Sequence, residues 1–364
     1  MIYIIFRAWD GNMELEKIDG NFAVSAVADA AKFYNVKTDG RFIVQGLLGF
    51  QKDREFTRIP KEELRKMPDG VKILKNYTSG GRVYFATDSS YIVVRYKGQR
   101  SLLPHATAIL TNGFDIYEGK NFLGSVVPPL NFTDNYESRL EFGRKKMRSL
   151  VINFPLYGEV KEMELGLEAG AILERSDEQF FANALFYGSS ITQGACSSRP
   201  GTSYVSAACR KLKIDFYNLG FSGSAKAEKS VAEYIAGIPT DVFVFDYDYN
   251  APNAEYLMKT HEPFYFLYRK KNPNTPVLFI SKPDYSTQKK DDRVRRDIIF
   301  QTYRRAKERG ENVFLLDGKE FYPKARRGEC SVDGCHPNDL GAYFIGKKLE
   351  RMLSEILDIN LKNL

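Results

Sequence analysis

The stretch Phe186-Tyr187-Gly188-Ser189-Ser190-Ile191-Thr192-Gln193-Gly194 decides how the rest of the chain is read. It follows a short apolar run, Ala184-Leu185-Phe186, and sets two serines between glycines. That is the pattern of a strand ending in a tight turn, with a side chain presented at the edge of a sheet. A serine hydroxyl is a weak nucleophile at its free pKa. To react it needs an adjacent base, and the oxyanion it creates needs donors already aimed. The question is whether the remaining chain supplies those parts in an order one fold can bring together.

Around that stretch the sequence alternates strands and helices. Candidate strands are Ala184–Tyr187, Ile214–Leu219, Val242–Asp246, Pro276–Ser281 and Asn312–Leu316, with helical stretches near 202–212, 225–237, 254–271, 291–309 and 339–357. Strands alternating with helices of that length specify a parallel sheet covered on both faces, which binds ligands beyond the carboxyl ends of its strands.

Three further motifs fall at those ends. Asn218-Leu219-Gly220-Phe221-Ser222-Gly223 follows the second strand, with glycines that let the backbone turn and aim an N–H. Asp246-Tyr247-Asp248-Tyr249-Asn250 follows the third and brings a side-chain amide. Asp333-Gly334-Cys335-His336-Pro337-Asn338 precedes the last helix, and its Asp-x-x-His spacing lets a carboxylate fold back onto an imidazole. Each motif alone is common; the joint order is specific. Of the three histidines, His105 after Pro104 reads as structural and His261 as a packing or substrate-lining residue, which leaves His336 as the base. Arg199-Pro200-Gly201 fits either loop structure or contact with substrate hydroxyls.

Upstream of residue 175 the texture is β. Arg82–Thr87 and Tyr91–Tyr96 flank Asp88-Ser89-Ser90 as a hairpin, and Ala106–Leu110 leads into an Asn112-Gly113 turn before Phe114–Tyr117 resumes. Ser149–Phe154 and Val160–Leu167 add further strands. Short strands with frequent turns predict a sandwich or jelly roll. The expected domains are therefore 1–175, all-β, and 176–364, three-layer α/β.

Together these blocks resemble the SGNH hydrolases, the GDSL-type esterases. Gly188 to Gly194 is similar to their Gly-Asp-Ser-Ile-Thr-x-Gly block, with Ser189 in the place of Asp. Asn218 to Gly223 is similar to the second block and Asp333 to His336 to the last. The third block departs from the usual Gly-x-Asn-Asp, with Asn250 standing for its asparagine and Asp248 open to a structural or substrate role. Gly113-Phe114-Asp115-Ile116-Tyr117 resembles the Gly-x-Asp-Leu-Tyr signature of β domains found ahead of some such hydrolases.

The resemblance implies a flavodoxin-like SGNH sheet and an ester hydrolase. Ser190 would be the nucleophile, His336 the base and Asp333 its orienting carboxylate. The backbone N–H groups of Ser190 and Gly223 and the Asn250 amide would form the oxyanion hole. It further implies a carbohydrate O-acetylesterase acting on short acetylated sugars, without metal or cofactor. Lipid or thioester acyl groups, and a non-catalytic sugar-binding protein, are the rival expectations.

Bulk composition bounds the alternatives. The chain has 364 residues, 43% apolar and 27% charged, which suits a globular protein of two domains. Aromatics are 13%, with one tryptophan, Trp9. The net charge of +7 is scattered among acidic residues and matches no nucleic-acid module. No run is long and apolar enough for a membrane span, and Met1–Arg7 lacks a basic lead and a signal-length apolar core. Cytoplasmic residence is the expectation, with homo-oligomerisation left open. Cys196, Cys209, Cys330 and Cys335 lack paired metal spacing and read as reduced thiols, with Cys330 and Cys335 near enough in sequence to bridge under oxidation.

Overall fold

In the computed structural model, which describes residues 31–283 and 291–361, the two textures of the sequence become two layered arrangements. Trp9 and the Met1–Arg7 segment lie outside the described residues. The first half contributes β1 (Ala31–Asn35), β2 (Ile43–Gln45), β3 (Arg82–Thr87), β4 (Tyr91–Lys97), β5 (Phe114–Glu118), β6 (Asn121–Val126), β7 (Asn135–Glu141), β8 (Arg148–Asn153), β9 (Glu162–Glu168) and β10 (Leu173–Glu174). They build two antiparallel sheets, ordered β1-β9-β4-β7 and β10-β3-β8-β5-β6, with β2 beside β3. Val83 and Phe85 from one sheet and Ile92, Val94, Tyr96 and Leu165 from the other are buried in one common core. Period-2 alternation puts these residues on the inner faces, as a sandwich requires.

Two local expectations fail here. β3 and β4 are consecutive but do not pair: β3 pairs with β8 and β4 with β7 and β9. Asp88-Ser89-Ser90 therefore links the two sheets instead of turning a hairpin. Its polar groups are spent on the neighbours it crosses: Asp88 accepts from the Ile172 N–H and the Ser89 hydroxyl from the Glu168 N–H. Both strands bury nearly every side chain from Arg82 to Val94, so two separate sheets bury more of them than one hairpin would. Ala108–Asn112 is a short helix, not a strand, because the Thr107 hydroxyl caps the Leu110 N–H and commits the segment to helical geometry.

The second half contributes β11 (Ala182–Gly188), β12 (Ile214–Gly220), β13 (Val242–Asp246), β14 (Val277–Ile280) and β15 (Val313–Leu316). All neighbours pair in parallel, in the order β12-β11-β13-β14-β15. That is the 2-1-3-4-5 order of doubly wound flavodoxin-like sheets. Alternate side chains face opposite layers. Phe243, Phe245 and Phe279 pack with the helices Lys229–Ile235, Ala254–Lys271 and Asp292–Glu308. Ala184, Phe186, Val244 and Leu278 pack with Tyr204–Leu212 and Asp339–Ile356. β11 lies between β12 and β13, so its carboxyl end is the point where the winding reverses. Ser190 begins there.

Candidate active site

Gly188 ends β11 where a Cβ would meet Thr192 Oγ1 at 2.1 Å and the Asp246 carbonyl at 2.2 Å, so only glycine lets the chain turn between β11 and β13. Ser189 caps the single helical turn Ser190–Gln193 by accepting the Ile191 N–H at 3.1 Å. This geometry holds Ser190 at the first helical position, where its own N–H has no intrahelical acceptor.

The loop before the last helix closes onto it. Ser190 Oγ lies 2.8 Å from His336 Nε2, and His336 Nδ1 lies 2.8 Å from Asp333 Oδ2. Asp333 Oδ1 accepts the backbone N–H groups of Cys335 and His336 at 2.9 and 2.8 Å, which fixes the carboxylate against the ring. Those bonds overcome burial and hold Asp333 down at about 2, so it stays ionised. Burial pulls the His336 imidazolium down, but the Cys335 sulfur and the Asp333 carboxylate outweigh it and hold the ring at about 9. When Nε2 is unprotonated, a hydroxyl, an imidazole and a carboxylate bonded in series can pass the serine proton to it while Asp333 stabilises the resulting charge.

Residues 182–354 match the family described as GDSL-like Lipase/Acylhydrolase, and residues 31–173 match GxDLY, the N-terminus of SGNH-hydrolase-type esterases. The chain joins a GxDLY domain to a GDSL-like acylhydrolase domain. Among solved structures it is similar to a protein described as a GDSL-like lipase from Bacteroides ovatus, with 27% identity and TM-score 0.83, covering 91% of this chain and 99% of that one. It shares its fold with the salicylyl-acyltransferase SsfX3 of a tetracycline biosynthetic pathway, at 20% identity and TM-score 0.76 over 92% of this chain and 100% of that one. It does so also with an acetyl xylan esterase, Est2A, from the rumen bacterium Butyrivibrio proteoclasticus, at 12% identity and TM-score 0.59 over 90% and 100%. No curated protein matches the chain.

In the GDSL-like domain the other two motifs gather beside Ser190. Gly223 is the third residue of a turn in which the Ser224 N–H reaches the Phe221 carbonyl at 2.9 Å. Its φ of +67° is unstrained only for glycine, and the amide at that position is not used within the turn. Asn250 Nδ2 donates to the same Phe221 carbonyl at 2.8 Å, so one of its two hydrogens ties the third motif to the second. The second hydrogen is not used in that bond. Asp246 is buried beneath the site, bonded by Thr192 Oγ1 at 2.9 Å and the Tyr204 hydroxyl at 2.7 Å, and burial pushes it up to about 6. Asp248 accepts the Lys282 N–H at 2.8 Å and is pushed up to about 7 by burial and by Asp246, which assigns it to the loop framework.

The GxDLY domain reaches the same place, and the sequence reading missed most of it. The fully buried Arg58 donates to the carbonyls of Asn218, Gly220 and Leu74 and lies over the Phe221 ring at 4.5 Å. Ser79 Oγ donates to the Gln193 carbonyl at 2.8 Å, and the Tyr157 hydroxyl to the Ser190 carbonyl at 3.2 Å. Gln193, inside the quoted stretch, accepts the Ser222 N–H and donates to the Leu156 carbonyl. His105 stands beside the His336 loop: its exposed ring stacks on His336, centroids 5.6 Å apart and planes 25° off parallel. Pro104 before it was the one local hint of a rigid projecting loop.

Arg199 resolves as an interdomain contact. It pairs with the buried Asp115 at 2.8 Å, bonds the Tyr117 hydroxyl and lies 3.8 Å from the Phe122 ring centroid. Asp115 also accepts from Asn153 and from the Gly201 N–H, so the Asp and Tyr of the Gly-x-Asp-x-Tyr motif grip the loop downstream of Ser190. His261 is a core residue. It is fully buried, bonded to Thr302, stacked on Phe245 at 4.7 Å and driven down to about 3 by burial. All four cysteines are free. A groove of about 830 Å³ lined by Asn183, Asp215 and Tyr217 opens at the starts of β11 and β12, the end of the sheet away from Ser190. Among the described residues no helix is long and apolar enough to cross a membrane.

Proposed function

We propose that this protein hydrolyses O-acetyl or similarly short acyl esters, most of all on small acetylated sugars. The hydrogen-bonded series Ser190 Oγ, His336 Nε2, His336 Nδ1 and Asp333 Oδ2 carries the reading, both contacts being 2.8 Å. Ser190 Oγ attacks the ester carbonyl while its proton passes to Nε2. The oxyanion is received by the Ser190 and Gly223 N–H groups and the Asn250 amide. Collapse breaks the ester C–O bond, and His336 gives its proton to the leaving sugar alkoxide. Water, deprotonated by His336, then attacks the acyl-serine and releases acetate and free Ser190. The fold shared with an acetyl xylan esterase supports the choice of an acetylated sugar.

The test is acetate release from acetylated xylo- and manno-oligosaccharides by wild type and Ser190→Ala, beside a nitrophenyl ester series from acetate upward. Release from a sugar that vanishes in Ser190→Ala is the expected result. Activity that rises beyond butyrate with no sugar ester cleaved would replace the acetyl-sugar reading with a lipid or thioester acylhydrolase.

A further inference from the structure

Three side chains from three separate segments meet at the imidazole of His336. His105 comes from the GxDLY domain, Cys196 from the loop after the serine helix, and His336 from the loop before the last helix. Their donor atoms all lie within 4.8 Å of one another. Cys196 is buried in a left-handed backbone conformation, φ +65°, which is uncommon for a residue other than glycine and directs its side chain in a way an extended loop would not. His105 is exposed and caps the cluster from the solvent side. His336 Nδ1 is committed to Asp333, so the nitrogen that faces the cluster is Nε2.

We propose that His105, Cys196 and His336 form a binding site for a zinc-like divalent transition-metal ion, and that occupation of it switches the hydrolase off. Two imidazoles and a thiolate are the donor set of a tetrahedral zinc site whose fourth position is left to water. Zinc–ligand lengths of about 2.0–2.3 Å place donors about 3.3–3.7 Å apart. The cluster must therefore close by roughly an ångström, a motion the exposed His105 side chain supplies. On binding, the Cys196 thiol gives its proton to solvent and its sulfur joins the metal, and an imidazolium at His336 likewise releases its Nε2 proton to solvent. The Nε2 lone pair joins the metal as well and can no longer accept the proton of Ser190, which lies 2.8 Å away. Removal of the ion restores the proton acceptor, so the inhibition is reversible. A second group, Asp333, Cys335 and His336, shares the histidine, with Cys335 Sγ 3.9 Å from Nε2. It would consume the orienting carboxylate and is the competing location.

Zinc affinity is measured on the full chain by competition with a chromophoric chelator. Nitrophenyl acetate hydrolysis is titrated with Zn²⁺ alongside and then reversed with EDTA. Wild type is expected to bind one Zn²⁺ and to lose activity over the same concentration range. His105→Ala, at an exposed position that does not threaten folding, and Cys196→Ser should each weaken Zn²⁺ binding at least tenfold. Cys196→Ser should keep its metal-free rate. Because chelator competition reads binding without turnover, Ser190→Ala should still bind Zn²⁺ with wild-type affinity, so the site is tested even if the esterase reading fails. Wild-type Zn²⁺ affinity in both His105→Ala and Cys196→Ser overturns the proposal, as does loss of binding only in Cys335→Ser, which assigns the ion to the competing group.

Discussion

Replacing Arg58 by Met separates two jobs that one buried side chain performs. Its guanidinium donates to the carbonyls of Asn218, Gly220 and Leu74, and it has no ion-pair partner among the described residues. Burial drives its pKa from 12.5 down to about 9, so carrying the charge there costs on the order of 5 kcal/mol. Methionine removes that cost and fills much of the volume, but leaves the Asn218 and Gly220 carbonyls short of a donor, at about 1–3 kcal/mol each, while the Leu74 carbonyl keeps the Tyr77 N–H. The two effects oppose each other and nearly cancel, from a net gain of roughly 3 kcal/mol to a net loss of roughly 1 kcal/mol, within what a folded domain tolerates.

Positioning has no such compensation. Asn218 and Gly220 end β12 only a few residues before Gly223, whose N–H we propose for the oxyanion. Complete loss of one such donor costs about 100- to 1000-fold, so a displaced one should cost roughly 10- to 100-fold in kcat. The assay is nitrophenyl acetate hydrolysis with thermal unfolding of the same samples. Arg58→Met should melt within a few degrees of wild type, bind substrate with nearly unchanged KM and turn over at least tenfold more slowly. A variant that is folded at the assay temperature and keeps wild-type kcat would refute the claim that the GxDLY domain holds the oxyanion loop.

Asp333→Asn should keep the fold and lower kcat by about 10⁴-fold, because the ring loses its fixed tautomer and the charge that stabilises imidazolium; steady-state kinetics on a short-chain ester checks it. Asp248 is raised in the folded protein from 3.8 to about 7 by burial and by Asp246, so its contribution to stability is fully present below about pH 4 and is lost as pH rises through 7. Asp248→Asn, which can still accept the Lys282 N–H, should therefore match wild type near pH 4 and exceed it by roughly 2–4 kcal/mol near pH 8; parallel melting curves across that range would contradict this. Arg199→Met strands the carboxylate of Asp115, which is 0% exposed, and should cost about 3 kcal/mol by denaturant unfolding.

The GDSL-like half was legible because its physics is local. Strands buried on both faces must be apolar throughout, as in Val242-Phe243-Val244-Phe245, and each is followed by its glycine or polar turn. The Asp-x-x-His spacing already implies the contact of Asp333 with His336, while the short motif around Ser190 places that serine at a strand's carboxyl end. The GxDLY half was legible as strands but not as pairings. Register along β3 and β4 looks the same whether they form a hairpin or cross between sheets, and only the partners β8 and β9, more than sixty residues on, settle it. Arg58 and His105 were illegible for the same reason. An arginine in a charged stretch such as Asp53 to Glu63 reads as solvated surface until the carbonyls it covers, 160 and 162 residues away, are brought to it.

Those carbonyls explain why the two halves travel together. β12 is the edge of the parallel sheet, and an edge strand presents a row of unpaired carbonyls at every second residue. Phe216, Asn218 and Gly220 form that row. Arg82 donates to the first at 3.1 Å and Arg58 to the other two. Gly80, at φ +85°, brings the GxDLY backbone so near that a Cβ would meet Asn218 Cβ at 2.9 Å. At the opposite end of the contact, Asp115 and Tyr117 hold Arg199 and the loop after Ser190. The GxDLY domain thus closes the open edge of the acylhydrolase sheet along the strand that leads into Gly223, and holds Ser190, Gln193 and the Arg199 loop that follows them. A GDSL-like half cut free at residue 176 would expose the Phe216, Asn218 and Gly220 carbonyls and lose the arginine donors that hold the end of β12, so if the proposed oxyanion role of Gly223 holds, it should be inactive.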